Sequence, residues 1–158
     1  MYYVGIAVDG SAREVRFVAL NVTEPATLPE FRTLSYGEDD LPTTMRDLHA
    51  ATFSTLRELP PEAVAVRRID PPPPQRGGSP SGGLRTATVD RLLAEGAVLA
   101  AARDATENVV HVAGNDAASR LGFSDKKDAR TAAKQFLAGH RQPVTKWAEA
   151  TMVARIFI

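Results

Sequence analysis

Cysteine is absent from these 158 residues, which removes disulfides, Cys-based zinc sites and thiol nucleophiles from consideration. Histidine is nearly as scarce: His49, His111 and His140 fall at no spacing that would gather metal ligands. Long apolar runs are missing too. The opening MYYVGIAVDG is too short to span a bilayer and carries neither a basic leader nor a cleavage site. The expectation is a cytoplasmic protein with no membrane attachment. A Walker-type phosphate loop is also lacking, because the glycines within 72–83 are not followed by Gly-Lys-Ser/Thr.

Neither sign of charge predominates, since 19 Lys and Arg balance 19 Asp and Glu. The balance hides an uneven distribution. Residues 1–59 carry 5 basic against 9 acidic side chains, and residues 60–158 carry 14 against 10. A basic remainder is compatible with nucleic-acid contact, and equally with an ordinary solvated surface. A chain of this length, 44% hydrophobic and 24% charged, is expected to form one globular domain over 1–158 with a sizeable core.

The order of elements is strand-rich first and helical later. YYVGIAVD (2–9) is β-branched and aromatic, a Gly-Ser turn follows, and REVRFVALN (13–21) alternates, so the two form a hairpin. FRTLSY (31–36) is a third strand. A helix follows, capped by Asp40 or Thr43, with Met45, Leu48, Phe53, Leu56 and Leu59 as its apolar stripe and Pro60-Pro61 as its stop. The strand AVAVRRI (63–69) comes directly after, which predicts a crossover onto a partly parallel sheet. A helix over 84–105 uses Leu84, Val89, Leu92, Leu93, Val98 and Leu99 as its apolar side. Residues 108–113 make a fifth strand, and helices near 116–121, 125–137 and 144–157 close the chain. The predicted fold is α/β: a five-stranded mixed sheet with helices on both faces.

Two stretches stand out. The apolar strand at 63–69 ends in Arg67 and Arg68, where a buried strand should stay apolar. Beyond Asp70, residues 71–83 hold five prolines and four glycines in 13 positions, with Arg76 among them. Such a segment cannot pack a core and is expected to be mobile, and a long loop after a strand end is a common place for binding segments.

The element order is that of the RNase H-like fold, and the details resemble RuvC-type Holliday-junction resolvases. VGIAVDG resembles the family's first-strand GIDPG. GGLRTATVDRLLAEGAVLAAARD has the flavour of its GxARGVxLxAA helix. SDKKDARTAAKQFL is similar to its G-x-A-x-K helix entry, and WAEATMVA to its terminal DAxDALAIA helix. The resemblance covers nearly the whole chain. It implies a metal-dependent endonuclease acting on branched DNA as a homodimer, with carboxylates from separate elements holding Mg²⁺ or Mn²⁺.

Carried over residue by residue, Asp9 matches the first-strand aspartate and Glu149 the last carboxylate of the terminal helix. The other two acidic positions fall on Arg67 and Lys146. A unit charge 4 Å from another at an effective dielectric near 20 is worth about 4 kcal/mol, so an arginine beside a dication is opposed by roughly twice that. The implied reading is a nuclease-derived domain that binds branched or structured DNA with catalysis lost or reduced and no cofactor required. An active Mg²⁺-dependent resolvase and a protein-interaction module are the alternatives.

The sharpest expectation is that the Arg67 guanidinium stands in for the metal between Asp9 and Glu149. Asp70, three residues on in an extended strand, is expected on the opposite face. Arg68, Arg76, Lys126, Lys127 and Arg130 are the candidate DNA contacts. Each site residue also has a plainer role: Asp9 as a turn cap, Glu149 paired with Lys146 one turn away, and the lysine run as a solvated helix face.

Overall fold

The computed structural model describes residues 1–21, 23–24, 28–37, 40–70, 86–140 and 143–158. The Pro/Gly-rich stretch at 71–83, with Arg76, lies outside the described residues.

Alternation builds the first hairpin. Strand β1 (Tyr2–Asp9) pairs antiparallel with β2 (Glu14–Asn21), from Tyr2 opposite Asn21 to Asp9 opposite Glu14. The connecting turn is closed by Asp9 itself, whose Oδ1 accepts from the Ser11 N–H, the Ser11 hydroxyl and the Ala12 N–H. β3 (Glu30–Ser35) adds an antiparallel edge to β2. Helix α1 (Leu41–Glu58) then carries the chain to β4 (Pro61–Arg67), which lies parallel to β1. Helix α2 (Thr86–Ala105) leads to β5 (Val109–Val112), parallel to β4. The five strands run in the order β3-β2-β1-β4-β5, a mixed sheet as the pattern predicts. Helices α3 (Gly114–Arg120), α4 (Lys126–Gly139) and α5 (Val144–Ala154) follow, and the chain ends in a 3-10 turn, Arg155–Phe157. Among the described residues no helix is long and apolar enough to cross a membrane.

The sheet separates two layers. Val4, Ile6, Val8, Val15, Phe17, Val64 and Val66 face α1 and α2. The opposite pleat, with Ala7, Val18, Leu20 and Ala65, faces α3, α4 and α5. Gly5 lets α5 approach closely, because a Cβ there would stand 2.0 Å from the Ala150 carbonyl oxygen. Glycine is the one residue that fits.

Several expectations are corrected in detail. β4 stops at Arg67 rather than continuing to residue 69, and the Arg68 N–H makes one last bond to Val112 O. On α1, Thr44, Thr52 and Thr55 are buried alongside Leu48 and Leu56, while Phe53 is only partly buried. Asp40 is the cap, accepting from the Thr43 N–H at 3.3 Å. On α2 the expected apolar side holds for Val98 and Leu99 and fails for Val89, Leu92 and Leu93, and Leu84 lies outside the described residues. Ala94, Glu95, Val98, Ala101 and Ala102 are buried, and Val89, Leu92 and Leu93 are exposed. The inward face is thus built mainly from small residues, with Val98 and Leu99 as its larger members.

Candidate functional site

The pleat determines which charges meet. Asp9 shares a face with Ala7 on β1, Arg16 with Val18 and Leu20 on β2, and Arg67 with Ala65 on β4. All three therefore point to the layer of α5 at one end of the sheet. Lys146 and Glu149, one turn apart on α5, hang over that end. Together they line an open groove of about 1070 Å³ that also includes Asp70, Arg91 and Arg130.

Arg67 is the centre of one half. It is 5% exposed, and its donors are taken on every side. Nε donates to Glu149 Oε2 at 2.8 Å, Nη2 to Asp70 Oδ2 at 2.8 Å, and Nη1 to Asp70 Oδ1 at 3.3 Å and to the Arg68 carbonyl oxygen. Burial opposes its charge, but Asp70 and Glu149 outweigh that and hold the guanidinium more firmly protonated than usual. Asp70 is saturated in turn, since Lys126 Nζ lies 2.7 Å from Oδ2 and the Gly114 N–H donates to Oδ1 at 3.2 Å. Partial burial works against the Asp70 carboxylate, yet Arg67, Lys126 and the Gly114 amide hold it well below the usual carboxylate range. Arg130 Nε, 3.4 Å from Glu149 Oε1, completes the cluster. The cradle is built around the arginine: a Cβ at Gly114 would stand 2.7 Å from Arg67 Nη2.

Arg16 is the centre of the other half, and sequence reasoning missed it. Its Nη2 lies 2.8 Å from Asp9 Oδ2, its Nε donates to Glu14 Oε2 at 3.0 Å, and its Nη1 donates to the Lys146 carbonyl oxygen at 3.0 Å. Partial burial raises the Asp9 pKa, but the Ser11 and Ala12 hydrogen bonds and Arg16 together hold it below the ordinary range. The Arg16 hydrogen bond, with Lys146 adding to it, lowers Glu14 likewise. The available signal was an arginine sharing its strand face with buried Val18 and Leu20.

The arrangement differs from expectation at three points. Asp9 is held by Arg16, not by Arg67. Asp70 does not face away: the strand has ended, so alternation no longer governs residues 68–70, and the chain turns Asp70 back onto Arg67. Lys146 reaches Glu14, at 3.3 Å, rather than Glu149. Of the candidate DNA contacts, Lys126 and Arg130 join the Arg67 cluster, while Arg68 and Lys127 are exposed. Sequence reasoning also missed Glu95. It is 3% exposed, takes the Ile69 N–H at 2.9 Å, and lies 2.6 Å from His111 Nε2.

These residues do not fit a carboxylate-ligated divalent pair. Mg²⁺ needs free oxygen ligands, and here Asp9 and Glu149 are both engaged by arginines. Among the described residues no three His, Asp or Glu side chains stand close enough together to hold a metal ion.

No family model matches the chain, and no curated protein matches it by sequence. Solved structures do match. The structure of Thermus thermophilus RuvC is 18% identical with a TM-score of 0.66, over 99% of this chain and 92% of that one. The same protein in complex with Holliday junction substrate gives 17% and 0.64, over 99% and 91%. The yeast mitochondrial Holliday junction resolvase gives 16% and 0.57, over 98% of this chain and 76% of the other. The mixed five-stranded sheet flanked by helices is therefore the RuvC-like variant of the RNase H fold.

Proposed function

We propose that this chain is a RuvC-like domain that binds branched or structured DNA, and that ion pairs have taken the place of its metal centre. The observation that carries the second half is Arg67: a buried guanidinium in a fitted cradle, joining a strand end to Glu149 and Asp70. A dication would have to displace it against roughly 8 kcal/mol of repulsion at 4 Å and an effective dielectric near 20. The first half is supported by the RuvC-like fold, by Arg130 in the groove and by Lys126 on its Asp70, and exposed Arg68 and Lys127 are proposed to join them. Arg76 belongs to the same proposal.

A second copy of the chain is part of this reading, because a four-way junction is a two-fold target. Val89, Leu92 and Leu93, each 37–41% exposed on the outward face of α2, supply an apolar surface for it.

Gel shifts and cleavage assays on four-way, double-stranded and single-stranded DNA, each with Mg²⁺ and Mn²⁺, test the proposal. The expected result is salt-dependent binding that favours the junction, with no cleavage. Cleavage that disappears in Asp9→Asn establishes the active-nuclease alternative. Absence of DNA binding at low salt establishes the protein-interaction alternative.

A further inference from the structure

Among the described residues, charge pairing in the groove is complete except at one. The four carboxylates that line it are all taken: Asp9 and Glu14 by Arg16 and Lys146, Asp70 and Glu149 by Arg67 with Lys126 and Arg130. Arg91, on the α2 wall of the same groove, has no ion pair among the described residues. Its Nε is out of solvent and has no hydrogen-bond partner among them. Arg130 Nε shares that condition but has Glu149 Oε1 at 3.4 Å.

The obvious partners are committed elsewhere. Glu95, one turn on and well placed for an i,i+4 pair, is held inward by the Ile69 N–H and His111. Asp90 faces a separate cavity with Arg13 and Tyr36. A guanidinium with a dry, unsatisfied donor in a cleft gains most from an oxyanion that accepts from Nε and Nη together, and a phosphate offers that fork. Carboxylates of the groove cannot offer it without abandoning their own cations.

We propose that Arg91 is the phosphate seat of this groove, gripping one backbone phosphodiester of a bound nucleic acid through Nε and Nη. The identity of the phosphate's owner rests on the DNA-binding reading above; the seat itself does not. Arg67 is excluded from the role because its donors already have acceptors.

The full chain and its Arg91→Gln and Arg91→Lys variants are compared in two measurements. The first is thermal unfolding with inorganic phosphate against chloride at matched ionic strength. Phosphate should raise the midpoint of the wild type and leave Arg91→Gln unmoved. Without phosphate, Arg91→Gln should melt no lower than the wild type, because a purely structural arginine would be missed and an unsatisfied one is not. The second is a gel-shift salt series on a four-way junction. Arg91→Gln should weaken binding about tenfold or more, as loss of charge-assisted hydrogen bonds implies, and should reduce the salt slope by about 0.9. Arg91→Lys should keep the slope and lose part of the affinity. An Arg91-dependent phosphate response without junction binding keeps the seat and removes the DNA reading. Variants matching the wild type in both measurements overturn the seat.

Discussion

Two arginines at the same end of the sheet each hold two carboxylates at about the same distances, and they do different jobs. Arg16 spans the mouth of the β1–β2 hairpin, with Asp9 and Glu14 partly open to water at 2.8 and 3.0 Å. Arg67 is 5% exposed and ties β4 to α5, with Lys126 of α4 reaching the same Asp70. Distance alone does not separate these clusters. Burial and a fitted cradle do, since a charge cut off from solvent has no substitute for a lost partner.

The contrast is broken most directly by removing each arginine. Arg67→Ala removes the buried cation that joins Glu149 and Asp70, leaving them only Arg130 and Lys126 at the rim of the groove, and urea unfolding should show a loss of about 3 kcal/mol. Arg16→Ala should lose only about 1 kcal/mol, because water can replace it. Equal losses would show that the two clusters are energetically the same. Arg67→Glu sharpens the point: it should melt low without metal, and Mn²⁺ at a hundredfold excess over its dissociation constant should return about 2.7 kcal/mol. The wild type should not respond.

A smaller effect tests the cradle. Gly114→Ala places a methyl 2.7 Å from Arg67 Nη2, and the guanidinium cannot swing aside without losing Asp70 or Glu149. The expected loss is about 1–3 kcal/mol, and in an Arg67→Ala background the same substitution should cost almost nothing. A cost that persists in the double mutant would show that Gly114 serves the backbone instead.

The smallest expected effect is in acid. Asp70 and Asp9 both have folded pKa values below the unfolded ones, so each contributes stability that is present above about pH 4 and lost as pH falls through the folded value. Asp70 is the more strongly depressed. Asp70→Asn should therefore flatten the decline of stability below pH 4 more than Asp9→Asn does. The reverse order would move the stronger cluster to the hairpin.

The sheet was legible because its strands are short β-branched or alternating runs bounded by turn and helix signals, and the two-residue period also aims Arg67 at the α5 layer. It failed at Asp70, where the strand had ended and the face rule no longer applied. The first half of the α2 face was misread, at Val89, Leu92 and Leu93, because alanines give a weak periodic signal beside leucines. Arg16 and Glu95 were illegible for a different reason. Glu95 meets Ile69 and His111, 26 and 16 residues away, and Arg16 meets Asp9 across the closed hairpin and the Lys146 carbonyl 130 residues away, pairings that a local pattern does not record.

Gly5 has a bearing on how this site can change. Because β1 and α5 meet backbone to backbone there, the approach of the helix that carries Lys146 and Glu149 is set at a position that carries no charge. Position and chemical identity are thus encoded separately at this end of the sheet. Closeness is secured at Gly5, whereas the charges at residues 67, 146 and 149 decide what this end of the sheet holds and how firmly it is tied.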